Sequence, residues 1–595
     1  MAFSSEVAAK ADVGNQTAIH GKNTSITAKN TPTLEARAVS AGLGIAGVGS
    51  TVSEAHSKDK ALVRVGGGAK LSADEALRIR ALMEKPADAK DYNAYAQAIA
   101  GAGGVVSGAV GLAFVDMAQE TKVSIEASSA MIAKKATIVA EHSDTENVEM
   151  DSVSAGGVSG TGGETKVKVV SDAGVSVGQG STITTAEEAA IRAENVTEKA
   201  WRDGSSKKNV SSIGAALASG NGVVNETSIT HVTTVDLDAV TIKANASDLT
   251  VEEKAAGKTL YDKNAIAIDA ASRVISKDRS TLSTGAAVGA AHVKNTNSVA
   301  ATTTVHVREG SQLLAGETEK AKEKDKTASY TGAAQSPYSS AYKGGSIAVG
   351  TRNDAELDSD TLVDVYGAAG YAGSKNRVTY TGLSNTSFAG SAETAKGDIS
   401  AMAGRDSRGE TGTIRASAHS DILNATAIPI SIKKDPVAKI DSRASLTVDA
   451  AANMRSDRDI HMKAKAGSLT ALGSGEVKDW VNKVADALGA DGSSIGRKEI
   501  SSSADVTMDG KAETGIHRNK SITIGGQDKQ GSWETTVKSD GDISYIYGGG
   551  TTIVGKELSE RLAALREKLA DFGADDSTKA AYEAEIQFLE EKMAA

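Results

Sequence analysis

The sequence contains no cysteine and very few large aromatic residues. Of its 595 residues, 5 are Phe, 3 are Trp and 5 are Pro. The lack of cysteine excludes disulfide frameworks, thiolate metal sites and thiol nucleophiles. Aromatic side chains supply much of an ordinary compact core, so a core here must be narrow and built from Val, Ile, Leu and Ala. Because hydrophobic residues still make up 40% of the chain, the composition predicts a folded protein of unusual shape.

The chain also lacks a long basic tract. It has 66 basic and 76 acidic residues, which gives a formal net charge of −10. Proteins that bind duplex nucleic acid concentrate positive charge on one face. Nucleic acid is therefore not an expected partner.

No segment has the length and hydrophobicity of a membrane-spanning helix. The most apolar stretch, residues 101–115, is rich in Gly and shorter than the ~18 to 20 residues that a span needs. Residues 1–14 do not show the basic and apolar pattern of an export signal. If the protein acts outside the cell, we expect it to be part of a longer exported chain.

Short internal repeats organise the sequence. Segments 136–143, 189–196 and 240–247 look alike, and their central isoleucines, Ile138, Ile191 and Ile242, are 53 and 51 residues apart. A Glu-Thr pair opens three further strand-like runs, at residues 120, 164 and 226. Gly- and Ala-rich runs precede them at 101–113, 155–163 and 213–224. The pattern predicts structural units of about 50 residues.

Within these units the hydrophobic period is two. In the segment 240–245, Val240, Ile242 and Ala244 share one face, with polar residues on the other. Short alternating segments separated by Gly, Asn, Asp and Ser favour an all-β array. Stacked coils of a solenoid would bury a continuous aliphatic core without aromatic bulk.

Three segments have a helical pattern instead. Residues 71–100 begin with a capping box, Ser72-x-x-Glu75, and place Ala76, Ile79 and Met83 on one stripe. Residues 476–489 form a shorter amphipathic candidate. Residues 556–595 carry two apolar stripes with helical spacing, which could pack against each other, and predict an antiparallel helical hairpin. This hairpin would either cap the solenoid or serve for oligomerisation.

The order of a Gly/Ala run, an N-E-T or E-T-K strand and a V-T-I-K-A strand resembles the passenger repeats of filamentous haemagglutinin-like proteins, in particular leukotoxin-type filamentous adhesins of anaerobic Gram-negative bacteria. The hairpin that follows YIYGGGTTIV at residues 545–554 is similar to an insertion in that family. The resemblance implies a right-handed parallel β-helix, type V secretion by a two-partner or autotransporter route, and a surface-exposed virulence factor. The sequence departs from the family in lacking a signal peptide, an N-terminal secretion domain and a C-terminal barrel.

The predicted architecture is therefore an all-β, right-handed parallel β-helix (β-solenoid) with helical insertions and a C-terminal helical hairpin. Its parts are N-terminal coils at 1–70, a helical insertion at 71–100, a main solenoid at 101–475 with a Tyr-rich loop region at 328–380, a short helix at 476–489, C-terminal coils at 490–555 and the hairpin at 556–595.

Carboxylates concentrate in the segment RNDAELDSDTLVD. Alternate spacing puts four of them on one face of a strand, where like charges repel unless cations neutralise them. The candidate calcium ligands are Asp354, Asp358, Asp360 and Asp364. The alternative is a solvated acidic strand face, and no other cofactor is expected.

Half of the 12 tyrosines lie between residues 330 and 380. Exposed Tyr stacks on sugar rings and is favoured in adhesive surfaces. The candidate binding residues are Tyr330, Tyr338, Tyr342, Tyr366, Tyr371 and Tyr380. The alternative is a loop-rich insertion held by an aromatic cluster.

No catalytic constellation is visible, and we predict that the protein is not an enzyme. The nine histidines are scattered without a metal-binding helix pair and are expected to face solvent. Two G-x-S-x-G segments, at 174–178 and 492–496, do not lie between a strand and a helix as a nucleophile elbow must. An enzyme would instead bring at least three carboxylates and a basic residue together in one cleft.

These features predict a secreted or surface-bound adhesin segment, located outside the cell or on the outer membrane. Its partners would be a host-cell protein or glycan, or other bacterial cells, and the hairpin could make it oligomeric. The alternatives are a polysaccharide-cleaving enzyme of the β-helix type and a purely structural spacer.

Overall fold

The computed structural model describes residues 1–88, 91–201, 208–246, 251–256, 263–316, 345–394, 397–456, 460–475, 496–514 and 522–523. In these ranges the chain is all-β apart from one short helix, α1 (Val251–Ala255). The strands are β1 (Ala2–Ser5), β2 (Ala8–Val13), β3 (Ala18–Asn30), β4 (Leu34–Leu43), β5 (Ala46–Ser57), β6 (Lys60–Val65), β7 (Lys70–Met83), β8 (Ala94–Ile125), β9 (Ala130–Val177), β10 (Thr182–Thr185), β11 (Ala189–Lys199), β12 (Val210–Leu237), β13 (Thr241–Ala244), β14 (Asn264–Val307), β15 (Gln312–Ala315), β16 (Ser346–Phe388), β17 (Ser391–Thr394), β18 (Ile399–Ala403), β19 (Thr413–Val448), β20 (Asn453–Ser456), β21 (Ile460–Ala464), β22 (Ser468–Ser474), β23 (Arg497–Met508), β24 (Lys511–Thr514) and β25 (Ile522–Thr523).

The named strands of the described ranges pair in parallel, each with the strand one coil away, which is the connectivity of a β-solenoid. One column of paired residues follows the whole stack. Its members are Val13, Val65, Ile125, Val177, Leu237, Val307, Phe388, Val448 and Met508. All but the last are buried, so each coil places one apolar side chain on the previous one at the ~4.8 Å strand spacing. The predicted all-β, parallel stack is confirmed.

The stacking register agrees with only part of the repeat pattern. Ile138 and Ile191 are paired residues of adjacent coils. Ile242, however, pairs with Ile183, and Ile191 pairs onward with Ile268. The Glu-Thr pairs are not stacked either, because Glu120 pairs with Asp172 and Glu164 with Val224. These outward positions do not fill the core, so the fold does not require the same residue there in every coil.

A sharp corner follows the column of apolar residues. Six residues at this corner have left-handed backbone: Gln16 (φ 56°), Gly68 (φ 69°), Ser128 (φ 62°), Gly180 (φ 72°), Ala239 (φ 46°) and Gly310 (φ 83°). The N–H groups of four of them continue the ladder between coils. Gln16 donates to Gly67 O (2.9 Å), Gly68 to Ala127 O (3.0 Å), Ser128 to Gln179 O (2.9 Å) and Gly180 to Ala239 O (3.0 Å). The hydrogen bonding between coils therefore continues through this corner at these four positions.

Coil length varies in part because the connection between two equivalent strands differs in length from coil to coil. Residues 185 and 189 are joined by only three residues, and the equivalent strands of later coils are joined by 245–265, 316–346, 395–398 and 457–459. The stacked strands on both sides keep their register across these differences. This explains why the sequence repeat is imperfect although the core is continuous.

Two aliphatic cores run along the stack. The first includes the column of apolar residues and neighbours such as Ile138 and Ile268. The second lies between the legs of a β-arch in each coil and is made of residues such as Ala98, Val169 and Tyr380. Buried polar and charged side chains lie beside these cores. The narrow aliphatic interior expected from the composition is confirmed.

The Gly- and Ala-rich runs form the tips of these arches. At the tips the chain turns through glycines with positive φ, among them Gly104 (155°) and Gly367 (152°). A Cβ on Gly104 would lie 2.0 Å from Gly44 O, and one on Gly367 would lie 1.6 Å from Ala286 O. Only Gly allows neighbouring coils to approach this closely.

The helix predicted for residues 71–100 is wrong. Strand β7 covers the first part and β8 begins at Ala94. A one-residue bulge lies between Ala73 and Ala76, where Asp74 and Glu75 are both exposed. The bulge interrupts the alternation at Glu75, although Leu71, Ala73, Leu77, Ile79, Ala81 and Met83 are all buried. The predicted helices at 476–489 and 556–595 lie outside the described residues and stay predictions.

Candidate functional site

The acidic segment of β16 has the geometry expected from its sequence. Its side chains alternate, and Asp354, Asp358, Asp360 and Asp364 all lie on the outward face of the strand. The previous coil places cations beside them, since Arg273 pairs with Asp354, Lys277 with Asp358 and Arg279 with Asp360. Cross-strand pairs of opposite charge stabilise a sheet. These side chains can therefore neutralise the aspartates, a role that the sequence had suggested for calcium.

The next coil adds positive charge on the other side of the acidic segment. Arg415 pairs with Glu356, and His419 with Asp360. Burial raises the pKa of Asp360, while His419 and Arg279 act in the opposite direction. Within the described ranges, no group of three or more His, Asp or Glu is arranged to hold a metal ion. Calcium binding here stays a prediction.

The candidate tyrosines do not form one patch in the described structure. Tyr330, Tyr338 and Tyr342 lie outside the described residues. Tyr380 is fully buried in the second core, so it is not available to a ligand. Tyr366 is 46% exposed at an arch, and Tyr371 is partly buried on the flank.

A second charged cluster forms where the loop 404–412 folds onto β16. Arg352 contacts Asp354 (Nε to Oδ2, 2.7 Å), Asp406 (Nη1 to Oδ2, 3.2 Å) and Glu410. Three carboxylates therefore surround one basic residue, as an enzyme of this fold would require. Whether these carboxylates are available for catalysis depends on the hydrogen bonds that they accept from the loop.

The carboxylates of this cluster fasten the loop. Asp406 Oδ1 accepts the N–H groups of Arg408 and Glu410 (both 3.0 Å), and Asp354 Oδ1 accepts that of Thr413 (2.8 Å). Asp269 accepts both the N–H and the hydroxyl of Ser407, at 2.6 Å each. Because the carboxylates are used in turn formation and ion pairs, we interpret the cluster as a structural clamp.

Two buried histidines were missed by the sequence analysis, which expected histidines to face solvent. His142 Nε2 lies 3.0 Å from Asp144 Oδ2, and its Nδ1 lies 3.3 Å from Thr121 Oγ1. This arrangement of a hydroxyl, an imidazole and a carboxylate resembles a catalytic triad, in which a His-Asp pair activates the hydroxyl as a nucleophile. All three side chains are shielded from solvent, so no substrate can reach the hydroxyl.

The second histidine and an ion pair complete an internal polar strip, which we define as His142, Asp144, Glu146, Lys199, His231 and Asp278. His231 Nδ1 and Nε2 each lie 2.8 Å from a hydroxyl, of Ser272 and Thr197 respectively. Lys199 Nζ bonds Asp278, which also accepts from Asn225 (2.9 Å). The internal polar strip is buried in the interior, and it could not be predicted from any short sequence motif.

A shallow depression of about 330 Å³ lies on the outer flank of the stack and crosses β9, β12, β14 and β16. We name it the flank groove. Its charged and polar lining includes Lys166, Glu226, Lys294, Thr296, Lys375 and Arg377.

Strand alternation and register build the flank groove. Lys166, Glu226, Thr296 and Arg377 form one outward column across four coils. The neighbouring column contains Lys294 and Lys375, which are paired residues of adjacent coils. Two outward hydroxyls, of Ser228 and Ser298, form part of a third column and also line the groove.

The flank groove is positively charged although the chain is acidic. Lys294 Nζ lies 2.7 Å from Glu226 Oε1, which neutralises that carboxylate. Lys166, Lys375 and Arg377 form no ion pair with any residue that the structure describes. Exposed cations without an ion-pair partner favour an anionic ligand.

Ring-bearing side chains adjoin the groove beside Gly373. A Cβ on Gly373 would lie 2.6 Å from both Tyr371 Oη and His292 Nδ1. The next coil places Lys433 beside Gly373. Burial, together with Lys433 and Lys375, lowers the pKa of His292, which keeps this ring uncharged near neutral pH.

The fold and the groove thus define a parallel all-β solenoid with a basic depression on one flank. Comparison of the chain with protein-family models, with curated proteins and with solved structures finds no match to any of them. In the described part of the chain, no helix is both long enough and apolar enough to cross a membrane.

Proposed function

We propose that the chain is a stalk segment of a filamentous surface adhesin. In this proposal it is a right-handed parallel β-helix, exported as part of a longer bacterial chain by a type V route. It attaches the cell to host cells, other bacteria or glycans. The supporting observation is the unbroken column from Val13 to Met508, because a regular stack provides length and repeated surfaces.

The chemistry of the charged clusters also favours attachment over catalysis. The carboxylates around Arg352 are committed to holding the loop 404–412. The His-Asp pair of the internal polar strip is buried. The flank groove, by contrast, presents Lys166, Lys375 and Arg377, which form no ion pair within the described residues, and this suits binding.

The test is binding of the purified chain to a glycan array and to host cells, with calcium and with a chelator. We expect binding in at least one of these assays. A chain that binds nothing in either assay contradicts the adhesin proposal and leaves a spacer. Loss of binding in chelator would support a calcium site at Asp354, Asp358, Asp360 and Asp364.

A loop exchange tests the Tyr-rich region without disturbing the stack. The segments 316–346 and 395–398 connect equivalent strands of adjacent coils, because Ala315 pairs with Thr394 and Ile347 with Ile399. Replacing 316–346 by Ala-Lys-Gly-Asp, the sequence of 395–398, removes Tyr330, Tyr338 and Tyr342. We expect a folded variant whose attachment falls at least fivefold.

A matched control shortens the equivalent connection one coil earlier, by replacing 245–265 with Ala-Glu-Glu, the sequence of 186–188. We expect this control to bind like the natural chain. Full binding by the 316–346 exchange variant would show that the three tyrosines do not carry adhesion. Circular dichroism of both variants reports whether the stack is retained.

A further inference from the structure

We propose that the flank groove binds an acidic polysaccharide, whose carboxylate or sulfate groups pair with Lys166, Lys375 and Arg377. This inference rests on the proposed adhesive function and assigns a ligand class to a particular site. The chain of sugars would lie across the strands, along the stack.

The spacing of the cations suits a linear polyanion. Lys166 and Arg377 lie in one column three coils apart, roughly 14 Å at the usual strand spacing. Lys375 stands two residues from Arg377 on the same outward face, and Lys433 lies one coil further on. An acidic polysaccharide repeats its charge every one or two sugars, so several anions can meet these cations at once.

The two carboxylates that lie beside these cations are engaged by other residues. Glu226 is bonded by Lys294 at 2.7 Å, and Asp435, the register partner of Lys375, is bonded by Arg497 at 3.1 Å. Arg377 can donate two parallel hydrogen bonds to one carboxylate or sulfate, whereas lysine acts as a point charge. Several such contacts on one polymer add through effective concentration, so weak single contacts give useful affinity.

The remaining groups of the groove suit sugars better than nucleic acid. The hydroxyls of Ser228, Ser298 and Thr296 can bond sugar hydroxyls. Tyr371, beside His292, offers one ring for stacking on a sugar. Single-stranded nucleic acid requires a series of aromatic platforms, whereas the groove offers one.

The experiment measures binding of the full chain to four labelled probes by fluorescence anisotropy at two salt concentrations. The probes are polygalacturonate, dextran sulfate, uncharged dextran and a single-stranded oligonucleotide. We expect binding to one or both acidic polysaccharides that weakens with salt, and no binding to dextran. The first two probes distinguish carboxylate from sulfate as the preferred anion.

The decisive variant is Lys375→Gln with Arg377→Gln, which we expect to weaken polysaccharide binding at least tenfold. The matched control, Lys10→Gln with Lys22→Gln, removes the same charge from exposed positions in the first coil and should change affinity less than twofold. Arg377→Lys should give an intermediate loss. Because all these side chains point outward, circular dichroism should be unchanged.

Three results would overturn the proposal: equal losses in the two double variants, tighter binding of the oligonucleotide than of either polysaccharide, or no binding of any polyanion. If the chain binds no acidic polysaccharide but attaches to cells, the adhesive function stands and must use a surface other than the flank groove. A chain that binds polysaccharide through the groove but attaches to no cell would retain the groove and contradict the adhesin proposal.

Discussion

Replacing Lys199 by methionine will destabilise the protein by about 3 to 5 kcal/mol, the usual effect of leaving one member of a buried ion pair without its partner. Lys199 and Asp278 have no exposed side-chain surface. In Lys199→Met, the Asp278 carboxylate keeps its bonds from Asn225 (2.9 Å) and Thr227 (3.1 Å) but loses the ammonium group. Urea unfolding followed by circular dichroism measures the change.

Two further variants separate charge burial from other effects. Removing both charges, in Lys199→Met with Asp278→Asn, should restore most of the lost stability, because no unpaired charge remains and the amide oxygen can still accept from Asn225 and Thr227. Lys122→Met breaks partly exposed pairs with Glu120 (2.9 Å) and Asp172 (2.7 Å), so it should cost less than about 1 kcal/mol. A Lys199→Met protein as stable as the natural one would show that the ion pair is not buried.

Acid will destabilise the fold through His231. Burial lowers the pKa of His231 from its usual value to about 3, whereas the unfolded chain titrates near 6.5. Between these values only the unfolded state binds the proton, so stability falls as the pH drops below about 6.5 and stops falling near pH 3. From linkage, His231 alone removes about 3 kcal/mol by pH 4.

Glu146 acts in the opposite direction and must be separated from His231. Burial, followed by the charge of Asp144, raises the pKa of Glu146 well above its usual value. A raised carboxyl pKa means that stability is lost as the pH rises above the unfolded value and is regained in acid. The measured pH profile is therefore the sum of two opposing titrations.

Comparing variants over pH 4 to 8 resolves the two titrations. Groups around His231 include Asp144 and His142, together with the hydroxyls of Ser272 and Thr197. His231→Gln should lose less stability between pH 6.5 and 4 than the natural protein, whatever its stability at pH 7. Glu146→Gln should lose more over the same interval. Identical pH profiles for the natural protein and His231→Gln would contradict the assignment.

The sequence predicts the type of fold because core positions repeat with a strict local period. Val240, Ile242 and Ala244 alternate along the chain, and all three are buried. The pairing of Ile138 with Ile191 also followed from their spacing. Ile242 was aligned with the wrong isoleucine because a ten-residue segment, 200–209, lengthens one coil at another corner.

Local patterns misled the prediction where tertiary structure interrupts or buries them. In residues 71–83 a bulge after Ala73 exposes Asp74 and Glu75, and this interruption of the alternation leaves a pattern that resembles a helix with a capping box. Tyr380 was expected on an adhesive surface, yet it occupies an inward position of β16 and is fully buried. Neither outcome follows from residue types alone.

The flank groove could not be found from sequence, because it depends on register between coils of unequal length. Lys166, Glu226, Thr296 and Arg377 are separated by 60, 70 and 81 residues, yet they form one column. Only the pairing of four strands shows that these residues adjoin. The acidic segment Asp354 to Asp364 was easier to recognise, because its carboxylates lie on one strand.

The most direct measurement of the central claim, an in-register stack whose outward columns form binding surfaces, is disulfide formation between introduced cysteines. The chain has no natural cysteine, so every disulfide reports the engineered pair. Ser228 and Ser298 are paired residues of adjacent coils in the groove. Their Cα atoms should be about 5 Å apart, within disulfide range.

We expect Ser228→Cys with Ser298→Cys to form an intramolecular disulfide under mild oxidation, detected by mass spectrometry of the digested protein. Ser228→Cys with Thr302→Cys is the control, because Thr302 lies on the same face but roughly 13 Å further along the strand. Rapid crosslinking of the first pair alone is the predicted result. Equal crosslinking of both pairs, or crosslinking of the control alone, would contradict the stacked register and the groove that depends on it.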